Sequence, residues 1–323
     1  MKLDRRRFLS LGVGAFVLLT LPASLRRLSR RWRRSVPVMG TIADIVVVDS
    51  DEAKAQAAID AAIRELRWVE RTMSHYTAHS DIGRANRLAA AEPVSVTPAT
   101  ATVLAEGLRW AELSDGSFDP CLGRATALWN VGERRTPPTA GEIRRLAGGR
   151  PWRDLELGRR RGKPVVLFRS DELAIDLGGI AKGHAVDRAA QALRHLGIRG
   201  ALVNAGGDLY AIGLSENGEP WEVGIRDPAD PRRLTASLPV TDRAIATSGD
   251  YFQYFDHGGR RYHHLLDPST GEPRRSRLHS LTVAADSCMA ADAGATAAFG
   301  QDLPDARRLV ARGSPGAEIV HSA

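Results

Sequence analysis

The chain has 323 residues, 43% of them hydrophobic, and a formal net charge of +7. Its length and composition suffice for a full hydrophobic core and exclude a fibrous or disordered protein. Residues 1–34 contain ten of the 45 Lys and Arg residues and only one of the 38 Asp and Glu residues, so the rest of the chain is slightly acidic. The positive charge therefore belongs to the first 34 residues, and a general nucleic-acid-binding surface is not supported.

Residues 1–34 resemble an export leader of the twin-arginine type. Arg5 and Arg6 form the arginine pair, and a weakly apolar run follows at residues 8–21. This run is too short for a membrane span, which needs about 20 residues. The pattern therefore favours an exported protein over an anchored one.

A basic segment at residues 26–34 follows the apolar run, which is unusual after a signal. We expect a leader at residues 1–34, a folded domain at residues 35–323 and a periplasmic location after twin-arginine export. Cleavage near Ala23 and an uncleaved membrane tether both stay open.

The first half of the domain carries patterns for one strand and two long helices. Residues 36–48 are mostly apolar and predict a strand. Asp51 opens a helix whose apolar residues recur at helical spacing. The Thr-Pro pair at residues 97–98 opens a second helix that ends near Gly116. Residues 130–163, rich in Arg, Gly and Pro, are the best candidate for a mobile insertion.

The second half of the domain is predicted to be mostly strands joined by short loops, which favours antiparallel pairing. Helices after Lys182, Ser287 and Pro304 would cover one face of the sheet. The predicted fold is therefore α+β, with mixed, largely antiparallel sheets and flanking helices. No G-x-G-x-x-G fingerprint or repeated βαβ unit indicates a Rossmann site. The predicted strands are residues 165–168, 173–176, 201–204, 209–213, 221–226, 244–246, 262–266 and 280–285.

A predicted glycine turn brings an aspartate and a lysine close together. The predicted strand runs to Asp176, Gly178 and Gly179 break it, and a helix starts near Ala181 with Lys182 in its first turn. Glycine lets the backbone approach an anion, a helix N-terminus offers N–H donors, and lysine adds a mobile charge. The pattern predicts a phosphate site, with a plain strand-to-helix connection as the alternative.

Asp292 and Thr296 lie four residues apart on a predicted helix, so their side chains project from one face. A carboxylate and a hydroxyl are hard oxygen ligands that suit magnesium held together with a substrate phosphate. The alternative is a buried aspartate bonded to a helix cap. The small residues around both positions would let another backbone come close.

Two adjacent histidines, His263 and His264, lie on a predicted strand that runs into the Asp-Pro turn at residues 267–268. Adjacent strand residues face opposite sides, so only one histidine can face a given site. His264 is the candidate general base, and a structural role is the alternative.

Several loops could complete a pocket. Residues 39–41, 73–76 and 116–120 mix polar and large apolar side chains that could line a pocket for a flat ring, or form ordinary surface turns. The glycine turns at residues 204–208 and 247–250 could offer N–H groups to an oxyanion, or bond their own aspartates.

The two cysteines, Cys121 and Cys288, could pair in an oxidising compartment. Two small buried thiols are the simpler interpretation, because twin-arginine export carries proteins folded in a reducing cytoplasm.

Taken together and in this order, the motifs resemble the ApbE family, the FAD:protein FMN transferases. The resemblance covers about residues 36–300. Its specificity comes from the number of motifs found in consistent order. They are Met-Gly-Thr from Met39, Met-Ser-x-Tyr from Met73, Gly-Ser-Phe-Asp from Gly116, Leu-Gly-Gly-Ile-Ala-Lys-Gly from Leu177, Val-Asn-x-Gly-Gly-Asp from Val203, Thr-Ser-Gly-Asp from Thr247, His-x-x-Asp-Pro-x-Thr-Gly from His264 and Ala-Asp-Ala-x-x-Thr from Ala291.

The resemblance implies an ApbE-like single domain and a magnesium-dependent enzyme. Such an enzyme cuts FAD, joins FMN through a phosphoester to a threonine of an acceptor protein and releases AMP. The resemblance implies that Gly179, through its carbonyl, Asp292 and Thr296 bind magnesium, and that His264 takes the proton of the acceptor hydroxyl beside the reacting phosphate. The residues implied to contact FAD are Met39, Tyr76, Ser117, Phe118, Asp119, Asp176, Lys182 and His264.

The implied partners are FAD and an acceptor protein, which we expect to be a membrane-associated electron-transfer or regulatory protein; no nucleic acid is expected. Two alternatives keep the same pocket: a periplasmic FAD carrier, and a magnesium-dependent FAD pyrophosphatase in which water replaces the acceptor. Asp292 and Thr296 argue against the carrier, because a carrier needs no metal at the phosphates.

Overall fold

A seven-stranded antiparallel sheet forms the centre of the structure, a computed structural model that describes residues 16–18, 30–230 and 232–323. Its strands lie in the order β17-β16-β11-β8-β7-β3-β2. Their bounds are β2 Arg30–Val38, β3 Thr41–Asp49, β7 Gly200–Ala205, β8 Asp208–Gly213, β11 Arg243–Gly249, β16 Ser280–Ala285 and β17 Glu318–Ser322. Every neighbouring pair is antiparallel, as the short loops predict.

Two tight turns at one end of this sheet set its register. Met39 and Gly40, both with positive φ, connect β2 to β3, and Gly206 and Gly207 connect β7 to β8 in the same way. Two-residue turns of this kind match the twist of antiparallel strands. The prediction of one strand over residues 36–48 was therefore wrong, because Met39 and Gly40 reverse the chain.

The remaining strands form small sheets and hairpins. In the first, β1 Phe16–Leu18 and β10 Leu234–Val240 flank β9 Trp221–Arg226. In the second, β4 Val94–Ser95 and β5 Leu155–Arg160 flank β6 Lys163–Phe168. Two hairpins pair β12 Tyr254–His257 with β13 Arg260–His263, and β14 Leu266–Asp267 with β15 Glu272–Pro273.

Eight α-helices are found in the described residues, and the long predicted ones are confirmed. Asp51 caps the first helix and Thr97 the third, each through its side chain. The helix from Thr139 has a capping box. The bounds are α1 Glu52–Met73, α2 Asp81–Leu88, α3 Pro98–Leu113, α4 Gly123–Trp129, α5 Ala140–Leu146, α6 Ala181–His195, α7 Cys288–Ala298 and α8 Leu303–Gly313.

The core lies on both faces of the central sheet. On one face α1 packs against α6, and α6 against α7, so that the apolar stripe of α1 is buried. On the other face apolar side chains of the central strands meet Trp221, Val223 and Ile225 of β9. The sheet is thus covered by helices on one side and by a small sheet on the other.

One predicted strand is absent and another is interrupted. Residues 173–176 make only an isolated bridge between Ala174 and Leu122, because the Asn86 side chain takes the place of a strand partner. Its Oδ1 accepts a hydrogen bond from the Ile175 N–H at 2.7 Å, and its Nδ2 donates to the Ile175 carbonyl at 2.9 Å. The predicted strand 262–266 is interrupted at His264, between β13 and β14.

The basic segment before the domain belongs in part to the sheet. Residues 30–34 form the first half of β2, where Arg31 pairs with Glu216, Arg33 with Asp44 and Arg34 with Asp60. These arginines are therefore neutralised inside the domain. The arginine pair of the predicted signal lies outside the described residues. None of the described helices combines the length and apolar character that a membrane crossing requires.

Candidate active site

A cavity of about 560 Å³ opens between the end of α1, the start of α6, the face of α7 and the segment that joins β13 to β14. Its size is typical of small-ligand sites. The structure brings all eleven residues predicted from the sequence to this one cavity. They are Met39, Tyr76, Ser117, Phe118, Asp119, Asp176, Gly179, Lys182, His264, Asp292 and Thr296.

The glycine turn lies at the floor of the cavity, just before α6. The Asp176 carboxylate accepts a hydrogen bond from the Gly178 N–H at 2.8 Å and lies 3.3 Å from His75 Nδ1. Burial acts to raise the pKa of Asp176, but the bond and charge of His75, with hydrogen bonds from Thr126 and the Gly178 N–H, together outweigh burial and lower the pKa. A Cβ on Gly179 would come within 2.9 Å of Thr296, so this glycine lets the turn lie directly against α7.

Lys182 is held between two carboxylates. Its ammonium pairs with the Asp208 carboxylate and lies 3.5 Å from Asp292 Oδ1. Burial acts to lower the pKa of Lys182, but the two carboxylates outweigh it and raise the pKa. Burial, together with the charge of Asp292, raises the pKa of Asp208 to about 7. The prediction of Lys182 as a mobile charge is thus corrected, and Asp208 bonds this lysine rather than its own turn.

The helices α6 and α7 cap each other. Asp292 of α7 accepts from the Gly183 N–H of α6 at 3.0 Å, while Asp187 of α6 accepts from the N–H groups of Cys288 and Met289 at 2.6 and 2.9 Å. A Cβ on Gly183 would lie 2.3 Å from the Cys288 carbonyl oxygen, so the close approach requires glycine. Asp292 therefore caps a helix, as the alternative interpretation predicts, and it also lines the cavity.

Oxygen atoms near Asp292 fit a hard cation. Its Oδ1 bonds no backbone group, and one turn along α7 the Thr296 hydroxyl lies 3.3 Å from the Ser248 hydroxyl. No group of three His, Cys, Asp or Glu side chains in the described ranges could hold a metal ion, which disfavours a zinc-type site. The Asp292 carboxylate and the Thr296 and Ser248 hydroxyls are hard oxygen donors of the kind that suits magnesium bound jointly with a phosphate.

His264 faces the cavity, whereas His263 is buried behind it, as predicted from their adjacency. His264 Nδ1 lies 3.3 Å from the Gln253 carbonyl oxygen, which can only accept, so the proton is on Nδ1 and Nε2 is left with a lone pair. Burial and the neighbouring His263 lower the pKa of His264 to about 4. His264 is therefore neutral at pH 7 and can accept a proton.

The opposite wall carries the three loops predicted to line a pocket. The Met39 N–H donates to Glu70 at 2.6 Å, which holds the turn between β2 and β3. Phe118 is buried, and burial raises the pKa of Asp119 to about 7 although the Cys121 and Trp152 N–H groups bond its carboxylate. The Tyr76 side chain is 85% exposed at the mouth. Cys121 and Cys288 are both buried free thiols, as the simpler interpretation predicts.

Among the lining residues that the sequence reasoning missed, Gln253 and Arg274 make the contacts that bear most on the site. Gln253 contacts His264 through its backbone carbonyl, and a backbone contact cannot be predicted from the type of side chain. Arg274 follows the Asp-Pro turn as one of several arginines, yet its guanidinium bonds the carbonyls of Leu266, Thr296 and Phe299 at 3.0, 2.8 and 2.7 Å.

This chain is similar to a known family of enzymes. The model of the ApbE family matches residues 39–320. A FAD:protein FMN transferase of Vibrio cholerae is 36% identical over 87% of this chain and 85% of its own length, and one of Haemophilus influenzae is 29% identical over 89% and 86%. The chain belongs to the ApbE family.

Solved structures agree with this assignment. The ApbE protein of Thermotoga maritima superposes with a TM-score of 0.81 at 31% identity, covering 90% of this chain and 94% of that one. The flavin transferase ApbE of Vibrio cholerae gives a TM-score of 0.76 at 33% identity, covering 88% and 91%. The predicted α+β, ApbE-like single domain is therefore confirmed.

Proposed function

We propose that this protein transfers FMN from FAD to a threonine of an acceptor protein, in a magnesium-dependent reaction that releases AMP. The observation that carries the proposal is the meeting, at one cavity, of a neutral histidine, a buried lysine–aspartate cluster and a set of hard oxygen donors. The relatives named FAD:protein FMN transferases support the choice of FAD as the donor.

The reaction exchanges one phosphoester partner for another. The acceptor hydroxyl oxygen attacks the flavin-side phosphorus, and the bond from that phosphorus to the bridging oxygen breaks. FMN remains on the acceptor through the new oxygen–phosphorus bond, and AMP leaves with the bridging oxygen. Phosphoryl-type transfer depends mainly on positioning and on neutralising charge, which is what this cavity offers.

His264 acts as the general base. Its Nε2 lone pair accepts the proton of the attacking hydroxyl, while the Gln253 carbonyl holds the ring through Nδ1. Because its pKa lies at about 4, the imidazole is already in its basic form at neutral pH.

Asp292, Thr296 and the Gly179 carbonyl would hold the magnesium ion, and Lys182 would steady a phosphate oxygen from the same side. When bound, magnesium neutralises the charge on the two phosphates and polarises the bond that breaks. Asp208 restrains Lys182 in this arrangement through their ion pair.

We place the reaction in the periplasm, after twin-arginine export, with an acceptor that is a membrane-associated electron-transfer or regulatory protein. The leader-like pattern of residues 1–34 supports this location. Mass spectrometry of the protein purified from a periplasmic fraction would test export and would show whether the chain is cut near Ala23.

The decisive experiment incubates the purified protein with FAD, magnesium and a periplasmic acceptor domain. We expect the acceptor to gain the mass of FMN on one threonine while AMP appears in equal amount. Free FMN as the sole flavin product would indicate a pyrophosphatase, and bound FAD without AMP would indicate a carrier. Either result would overturn the proposal.

A further inference from the structure

Arg274 is the second cation that lines the cavity, and its environment differs from that of Lys182. It follows β15 directly and contacts three separate segments through its side chain. It donates to Leu266 in β14, to Thr296 and Phe299 at the end of α7, and to the Ser117 carbonyl in the loop after α3. These bonds use four of the five N–H groups of the guanidinium.

All side-chain hydrogen bonds of Arg274 go to carbonyl oxygens, and no carboxylate of the described residues forms an ion pair with it. The Asp267 carboxylate acts on the charge of Arg274 without pairing with it. The nearby Glu272 carboxylate pairs instead with Arg260 at 3.0 Å and with Arg275 at 3.9 Å. Lys182, by contrast, is enclosed by Asp208 and Asp292. The positive charge of Arg274 is therefore available to an anion in the cavity.

The bonds of Arg274 also connect parts of the site that differ in role. Thr296 supplies a hydroxyl to the oxygen donor set, and Ser117 begins the loop that carries Phe118 and Asp119. A cation at the C-terminal end of α7 further stabilises the carbonyls left unpaired there. The Gln301 side chain makes a second, parallel connection, donating to the Ser117 hydroxyl at 3.2 Å and to the Ala297 carbonyl at 3.1 Å.

We propose that Arg274 is a positioning residue for the diphosphate of the substrate: it holds the loop at Ser117 and the last turn of α7 in fixed relation, and its unpaired charge attracts the phosphates. The inference rests on the proposed function, because the anion is taken to be FAD. No sequence pattern indicates this role, because it depends on the direction in which the Arg274 side chain points in the folded protein.

The test compares Arg274→Met and Arg274→Lys with Arg275→Met, a control at the neighbouring arginine, whose side chain is 82% exposed. Equilibrium affinity is measured for FAD and for riboflavin, which has the same ring and no phosphate. We expect Arg274→Met to weaken FAD binding about tenfold or more, as for the loss of a charged hydrogen-bonding partner, with a much smaller loss of riboflavin affinity.

Arg274→Lys keeps the charge and loses the fork of donors. We expect it to bind FAD within about threefold of the wild type. Its kcat for transfer should fall, because the two segments are no longer tied together. The control should match the wild type in all measurements. Thermal unfolding of each variant identifies a folding defect, and where Arg274→Met does not fold, the lysine variant decides.

Equal losses of FAD and riboflavin affinity in either variant, or FAD binding unchanged in Arg274→Met, would overturn the inference. These outcomes are separate from failure of the proposed function, which would appear as absence of flavin transfer by the wild-type protein. Binding affinities of the variants remain measurable in that case.

Discussion

The two sides of the cavity are built in different ways. On one side, α6 and α7 approach so closely that Gly183 has no room for a Cβ, and the polar groups of Asp292, Lys182 and Asp208 are buried and mutually bonded. On the other side, His264 lies between two short hairpins and is held by the Gln253 carbonyl. The proposed phosphate and metal site therefore depends on helix packing, whereas the proposed base depends on a local backbone contact.

The largest expected effect is on transfer activity, when the charge of Asp292 is removed without disturbing the packing of α6 and α7. Asp292→Asn can still accept the Gly183 N–H bond but lacks the negative charge. We expect transfer activity to fall by at least about a hundredfold, as for loss of a metal ligand, with little change in thermal stability. Asp292→Ala should lose the activity and, through the missing cap, about 1 kcal/mol of stability as well. Steady-state kinetics and thermal unfolding check both. Retained activity in either variant would contradict the metal assignment.

The second prediction concerns packing alone. Gly183→Ala would force a Cβ to within 2.3 Å of the Cys288 carbonyl oxygen, so we expect a loss of about 2–4 kcal/mol in the free energy of unfolding. Gly132→Ala is the matched control, because no atom lies within 4 Å of its added Cβ. Denaturant unfolding measures both, and equal stability of the two variants would show that α6 and α7 are not in tight contact.

The third prediction concerns the hairpin side. His264→Ala removes the base without touching the helices, so kcat for transfer should fall about tenfold to hundredfold while FAD affinity changes much less. Parallel titration with FAD and transfer assays distinguish the two effects. Equal losses in both would make His264 a packing residue.

A pH profile sharpens the same point. Because the pKa of His264 is lowered to about 4, its basic form persists from neutral pH down to about pH 5 and is lost as the pH falls through about 4. His264 should therefore contribute no decline in transfer near pH 6.5, where an ordinary histidine titrates. An inflection near pH 6.5 that disappears in His264→Ala would show that the imidazole is more exposed to water than its position indicates.

The smallest effect is expected far from both sides, in β2. Arg33→Ala breaks a pair with Asp44 in which both side chains are partly exposed, so we expect less than about 1 kcal/mol of destabilisation and no change in activity. Unfolding curves at low and high salt measure the contribution. A larger loss would show that the basic segment is a main support of the sheet edge.

Much of this site was accessible from the sequence, because local signals define it. Spacing on one helix brings Asp292 and Thr296 to one face, and the glycine turn places Lys182 at the start of the next helix. The motif order adds Ser117, Phe118 and Asp119. Helix caps at Asp51 and Thr97 are equally local, which explains why those helices were predicted well.

What the sequence could not supply depends on distant partners. Residues 173–176 have strand-like composition, but Asn86, far away in sequence, replaces the strand partner. Lys182 was expected to be a mobile charge. This was wrong because Asp208 and Asp292 approach it from other elements, which the local sequence does not show. Arg274 gives no signal at all, since its role consists of carbonyl bonds to segments that only the folded chain assembles.

The exchange of caps between α6 and α7 has a consequence for assembly. Each helix begins at a point that the other stabilises, so neither start is fully bonded until both have docked. A folding intermediate with one helix in place would leave amide groups and a carboxylate without their partners. The part of the cavity between α6 and α7 should accordingly form late and in one step, together with completion of the core.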